Sequence, residues 1–211
     1  MQSEHCKVRP LHACKEKKMD VMVLIDSFKG SMTSMEAGNA ARDGVLRVYP
    51  HANVTVRPLA DGGEGTTDAL IEGLGGRKVE LSVTGPMGSR VKAYYGILAD
   101  EKTAVMEMAQ AAGITLVEEA QRNPGKATTY GVGEMIRDAV SRGYRKFIIG
   151  IGGSVTNDGG IGMLRALGVK FLTKDGEEAG EGADALGKIH FVSLEHLMPE
   201  PVSYTHLRAH E

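Results

Sequence analysis

A chain of 211 residues, 42% hydrophobic and 25% charged, with 25 basic against 27 acidic residues, has the make-up of a globular protein, not of a disordered or polyanion-binding one. Aromatic residues reach only 5% and tryptophan is absent, which argues against a base-stacking surface for nucleic acid. No apolar run approaches the roughly 18 residues of a membrane span, and residues 1–18 lack the apolar core of a signal peptide, so a cytoplasmic location is expected.

That head carries both cysteines, Cys6 and Cys14, with His5 and His12 beside them. Their spacing fits no standard zinc pattern and the segment is polar and lysine-rich, so it reads as an extension outside the fold. Met19 is the expected true beginning. The run Val21 to Ile25 predicts a buried parallel strand, followed by the polar loop Asp26-Ser27-Phe28-Lys29-Gly30-Ser31. Thr33 or Ser34 can cap the next helix, with Glu36 at capping-box distance from Thr33. Lys29 sits in a strand-to-helix loop, where open α/β sheets bind ligands, and a cation between Ser27 and Ser31 suits a phosphate or carboxylate.

The pattern repeats. A strand over Val54 to Leu59 leads into Ala60-Asp61-Gly62-Gly63-Glu64-Gly65-Thr66-Thr67 and a helix, with Thr66 or Thr67 as its expected cap. Three glycines around two carboxylates predict close approach of backbone to a ligand, with Asp61 or Glu64 able to hold Mg²⁺ or take a proton from a hydroxyl. Three strands then follow, Val79 to Val83, Arg90 to Leu98 and Thr103 to Met108, with a turn at Gly85 to Gly88. They predict an antiparallel region and a domain boundary near Val79 to Gly85. Met87, Met106, Met108 and Met163 read as core filler. Arg122 and Lys126 beside Thr128 and Thr129 suit an anion, although capping would also account for the threonines before the helix Glu134 to Ser141.

The most informative stretch comes next. Phe147 to Ile151 predicts a buried strand that breaks into Gly152-Gly153-Ser154-Val155-Thr156-Asn157-Asp158-Gly159-Gly160, before a helix over Ile161 to Leu167 closed by Gly168. A glycine-rich loop running into a helix N-terminus is an anion site in waiting. It is not a dinucleotide fingerprint, because Val155 stands where the third small residue belongs. It is not a P-loop either, because no Gly-Lys-Ser/Thr ends it.

Taken together, Asp26-Ser27-Phe28-Lys29-Gly30-Ser31, Ala60 to Thr66, Glu107-Met108-Ala109, Arg122-Asn123-Pro124, Thr129 to Glu134 and Gly150 to Gly160 resemble the bacterial class I glycerate kinases, over about Met19 to Val192. The resemblance implies ATP-dependent phosphorylation of D-glycerate, usually at the 2-hydroxyl, with Mg²⁺. It also implies two α/β domains, a Rossmann-like parallel sheet and an inserted α/β domain, with the site in the cleft between them. Residues 19–80 would belong to the first and 81–193 to the second, both incomplete. On this reading Lys29, Asp61 and Asp158 are catalytic, and Glu64 or Asp158 holds the metal. Ser27, Ser31, Gly62, Gly63, Glu64, Gly65, Thr66, Arg122, Thr128, Thr129, Gly152, Gly153, Ser154, Thr156, Asn157, Gly159 and Gly160 bind substrate or phosphate. A homodimer is compatible.

Family members are nearly twice this long, so a truncated chain is expected. Residues 194–211 fall outside the family pattern, and the end from Ser203 resembles translated sequencing adapter. His206 and His210 are therefore not read as metal ligands. The alternatives are an inactive fragment or a non-catalytic nucleotide or sugar-phosphate binding module. A nicotinamide-dependent dehydrogenase is disfavoured by the failed fingerprint.

Overall fold

The computed structural model describes residues 19–26, 28, 31–59, 61–198 and 203–207. Ser27, Lys29 and Gly30 lie outside the described residues, as do Cys6, Cys14, His5, His12 and His210.

Strand β1 (Asp20–Ile25) passes through helix α1 (Ser34–Val48) into β2 (Asn53–Pro58), and the two strands pair in parallel from Asp20↔Asn53 to Ile25↔Pro58. The helix begins as predicted. Thr33 Oγ1 accepts from the Glu36 N–H at 3.2 Å, and Glu36 Oε2 accepts from the Thr33 N–H at 2.8 Å. Helix α1 packs on these strands. Met22 and Leu24, on alternate positions of β1, remain 65% and 52% exposed, so the strand read as buried on both faces is covered on one.

Helix α2 (Thr66–Leu74) then delivers the chain to β3 (Gly76–Thr84). The strands β3, β4 (Arg90–Leu98), β5 (Thr103–Glu107), β6 (Lys146–Gly150) and β9 (Ser203–Leu207) form one five-stranded sheet in that order. The pairs β3–β4 and β4–β5 are antiparallel, while β5–β6 and β6–β9 are parallel. The predicted hairpin region is therefore the antiparallel side of a mixed α/β sheet. The expected division at 80/81 cuts through β3, which pairs with β4 along its whole length from Gly76. The change of sheet falls at Gly75–Gly76.

Helix α4 (Tyr130–Ser141) covers one face of this sheet. Val132, Met135, Ile136, Ala139 and Val140 meet Val83, Tyr95, Ile97, Met106 and Phe147 in the main core. The helix starts four residues before its predicted Glu134. Gly131 and Gly133, both outside the predicted helix, are places where the helix touches the Thr84 and Met163 carbonyls and has no room for a Cβ. Helix α2 covers the other face: a Cβ at Gly96 would lie 2.8 Å from Ile71 Cδ1 and 3.2 Å from Thr67 Cγ2. Short helices α3 (Ala109–Ala112), α5 (Ile161–Ala166) and α6 (Ala183–Leu186), with the pair β7 (Lys170–Leu172) and β8 (Phe191–Ser193), complete the described chain. Met106 is core and Met108 and Met163 pack against it, as predicted, whereas Met87 is 37% exposed on the hairpin turn.

Candidate active site

The loops read from sequence as phosphate-ready are brought together at the C-terminal ends of β2, β5 and β6. The Gly152 N–H donates to the Gly62 carbonyl at 2.8 Å, and a Cβ at Gly150 would lie 2.5 Å from that same oxygen. A Cβ at Gly152 would meet Gly63 Cα at 2.8 Å. Only glycine lets these two backbones touch. On the outer side of the second loop lies a cleft of about 450 Å³. Its walls are Phe28 and the run Ser31 to Glu36 on one side, and Glu64, Gly65 and Asp68 at the start of α2 on the other. Lys29 itself is outside the described residues, but its neighbours Phe28 and Ser31 line this cleft.

Asp61 is half-buried, and its Oδ1 accepts the Gly63 N–H at 2.7 Å, which sets the turn into the loop. Glu64 is exposed on the cleft wall. The threonine cap expected for α2 is not made. The N-cap is Gly65, held at φ 91°, and Thr66 and Thr67 are the first two helical residues, both buried. Thr66 Oγ1 has no hydrogen-bond partner among the described residues. The cap comes instead from Glu107, at the end of β5, the first residue of the Glu107-Met108-Ala109 motif, which the sequence alone leaves without a role. Its Oε2 accepts the Gly65 N–H at 3.2 Å and its Oε1 the Thr67 N–H at 2.5 Å. Glu107 is fully buried, and this burial, reinforced by the nearby Asp68 carboxylate, pushes its carboxyl above the usual glutamate range.

The central loop divides into two halves. Its first half, Gly150 to Gly153, faces Gly62 and Gly63 on one side and, on the other, α3 and the turn after it, where the Ile114 N–H donates to the Gly153 carbonyl at 2.9 Å. Ser154 Oγ and Thr156 Oγ1 lie 2.6 Å apart, and the Thr156 N–H donates to Ser154 Oγ at 2.9 Å, a local turn. The second half turns to the N-terminus of α4. Asp158, 1% exposed, accepts the Thr129 N–H and hydroxyl at 2.8 Å each and the Gly162 N–H at 3.2 Å on Oδ2, and the Gly160 N–H at 3.0 Å on Oδ1. The helix N-terminus expected to receive a phosphate is thus already filled by a carboxylate of the chain.

This geometry redistributes the predicted residues. Asp158 is a cap whose oxygens are engaged by four donors, three on Oδ2 and one on Oδ1. Gly159 and Gly160 serve that cap, and Asn157 is exposed beside it. Thr128 and Thr129 are buried: Thr128 Oγ1 accepts the Tyr130 N–H at 3.2 Å, and Thr129 Oγ1 accepts the Met163 N–H at 2.9 Å while donating to Asp158. Arg122 is exposed, with Nε on the Val117 carbonyl at 3.2 Å. Among the described residues no cluster of three His, Cys, Asp or Glu side chains is arranged to hold a metal.

Comparison with known proteins gives the lineage of these loops. The chain is 44% identical over 179 residues to a glycerate kinase of Halalkalibacterium halodurans, covering 85% of this chain and 47% of that protein. It is 45% identical over 176 residues to a glycerate kinase of Bacillus subtilis, covering 83% of this chain and 46% of that one. With a glycerate 2-kinase of Escherichia coli it shares 41% over 181 residues, covering 86% and 48%. A crystal structure of a glycerate kinase 2 candidate from Salmonella typhimurium LT2 superposes with a TM-score of 0.73 at 42% identity, covering 85% of this chain and 48% of that one. The chain therefore spans about half the length of the curated relatives it matches. The glycerate kinase family profile matches residues 21–209, which takes in most of the tail that sequence reading set apart and whose residues 203–207 form β9 beside β6. With that profile covering most of its length, the chain belongs to the glycerate kinase family.

Proposed function

We propose that this chain carries part of the active site of an ATP-dependent glycerate kinase that phosphorylates D-glycerate at its 2-hydroxyl. The observation that carries the reading is the junction of the Asp61–Gly65 loop with Gly150–Gly153, glycine against glycine, beside a cleft lined by Ser31 and Glu64. The E. coli relative, named a glycerate 2-kinase, supports the choice of hydroxyl.

Phosphoryl transfer asks a protein mainly for positioning and charge stabilisation. Lys29 binds the glycerate carboxylate or a transferring phosphoryl oxygen. Asp61, with Oδ2 left over from its turn bond, orients the acceptor hydroxyl and takes its proton. Ser31 stands on the wall of the cleft, and the Gly62, Gly63, Gly152 and Gly153 backbone lets the phosphates approach closely. Mg²⁺ in kinase sites is held by one or two carboxylates plus water and phosphate oxygens. The exposed Glu64 fits that demand, with Asp61 within the same loop, and Asp158 does not. When bound, the ion neutralises phosphate charge. Binding partners are then ATP and D-glycerate. No described helix is long and apolar enough to cross a membrane.

The test is ³¹P NMR of product formed from D-glycerate and MgATP, by this chain and by the chain extended to the full length of its relatives. The expected product is 2-phosphoglycerate, with Lys29→Ala and Asp61→Asn each lowering kcat by about 100-fold or more. No transfer by either length would sink the assignment. Formation of 3-phosphoglycerate would correct the acceptor alone.

A further inference from the structure

We propose that Glu107 is a positioning residue that couples the two glycine-rich loops, holding the Asp61–Gly65 loop in register with Gly150–Gly153. This rests on reading the cleft beside those loops as the catalytic site.

The coupling is a closed circuit. At the end of β5, Glu107 lies opposite Gly150 of β6, and the next residue's N–H, that of Met108, donates to the Gly150 carbonyl at 2.8 Å. Two residues on, the Gly152 N–H holds the Gly62 carbonyl at 2.8 Å. Three residues further along that second loop, the Gly65 N–H returns to Glu107 Oε2, with Thr67 N–H on Oε1. The side chain thus closes a ring whose other links are all backbone.

Nothing else explains why a carboxylate should be there. Glu107 is fully buried and, among the described residues, forms no salt bridge. Its titratable neighbours are Asp68 on α2 and Tyr94 on β4, and Lys78 is engaged with Asp68 at 2.8 Å. A buried charge without a cation is costly, and a serine or asparagine at the N-cap would have capped α2 from within the helix. A cap supplied by β5 does what a local one cannot: it ties the orientation of Asp61 and Glu64 to the sheet and to the facing loop.

The experiment is Glu107→Gln and Glu107→Asp in this 211-residue chain, read by amide hydrogen exchange and, in the chain extended to family length, by kinetics. Glutamine keeps the shape but sets an amide NH₂ against one of the two N–H donors. Aspartate keeps the charge but is one methylene short. In either variant, exchange at Gly65 and Thr67 is expected to quicken, and with it exchange at Gly152, by about tenfold or more, while Ala139 inside α4 keeps its protection. The kcat for glycerate phosphorylation should fall at least about tenfold, with KM for ATP within about twofold. Faster exchange confined to Gly65 and Thr67, with Gly152 unchanged, would overturn the coupling and leave a local cap. Absence of turnover in the unsubstituted protein would overturn the kinase reading instead, and exchange at Gly152 would still decide this one.

Discussion

Helices α2 and α5 begin in the same way and are fixed by different means. Each has a glycine in the left-handed region at its N-cap, Gly65 at φ 91° and Gly160 at φ 82°. In each, the N-cap N–H goes to one oxygen of a buried carboxylate and the N–H two residues later goes to the other. For α5 that carboxylate is Asp158, two residues upstream. For α2 it is Glu107, more than forty residues downstream in another strand. An anion is favoured at a helix N-terminus whatever its source. What differs is what the anion ties down. Asp158 fastens α5 to Thr129 at the head of α4 and makes a rigid corner, whereas Glu107 fastens the Asp61–Gly65 loop to the sheet.

The largest expected effect lies on the local side. Asp158→Ala removes the acceptor of four donors in a buried corner, stranding three backbone N–H groups. Each buried donor left without a partner costs on the order of 1–3 kcal/mol, so the loss should reach about 3 kcal/mol or more in urea unfolding. A loss under about 1 kcal/mol would mean that water replaces the carboxylate, and the corner would not be rigid.

A smaller effect, distinct in sign, tests the long-range side. Burial raises the Glu107 carboxyl above its usual value of 4.5, so the folded state holds that proton more tightly than the unfolded chain. Its contribution is then full below 4.5 and is lost as pH rises through the raised value. The stability difference between the parent and Glu107→Gln should narrow with rising pH, by at most about 1.4 kcal/mol per pH unit. Glu134 gives the opposite slope. Burial opposes its ionisation, but the Thr84 N–H and the Arg90 guanidinium outweigh burial and hold it below 4.5. Its contribution is present above that value and is lost as pH falls. Parallel slopes for Glu107→Gln and Glu134→Gln would remove the distinction drawn here.

The same contrast explains what the sequence made legible. Elements held by local chemistry were readable: β4 ran from Arg90 to Leu98 as predicted, Thr33 and Glu36 closed their capping box, and Asp158-Gly159-Gly160 announced a special loop. The sharing of donors was not readable, because it depends on which strand ends lie side by side. The first four residues of α4 lie outside the predicted helix, and only the approach of the Thr84 and Met163 carbonyls shows what Gly131 and Gly133 do within it. Asp158 reads as catalytic and, with Glu64 as the alternative, as a metal ligand; that it also caps α5 was not readable, because spacing does not choose among the uses of an acid in a glycine-rich loop. Glu107 was passed over because one acid at the end of an apolar strand has no local signature.

Helix α1 supplies the mildest test of the comparison, since its cap is local and exposed. Thr33 and Glu36 satisfy each other's backbone N–H groups at the edge of the cleft, with water free to replace either side chain. Thr33→Ala should therefore cost about 1 kcal/mol, the usual value for an N-cap, and should be partly recovered by Thr33→Ser. Unlike Glu107, Thr33 closes no ring through another strand, so its removal should leave exchange at Gly152 untouched. Should Thr33→Ala quicken that amide as well, the glycine-rich loops respond to any loosening of the cleft wall, and a buried long-range cap would not be what sets them apart.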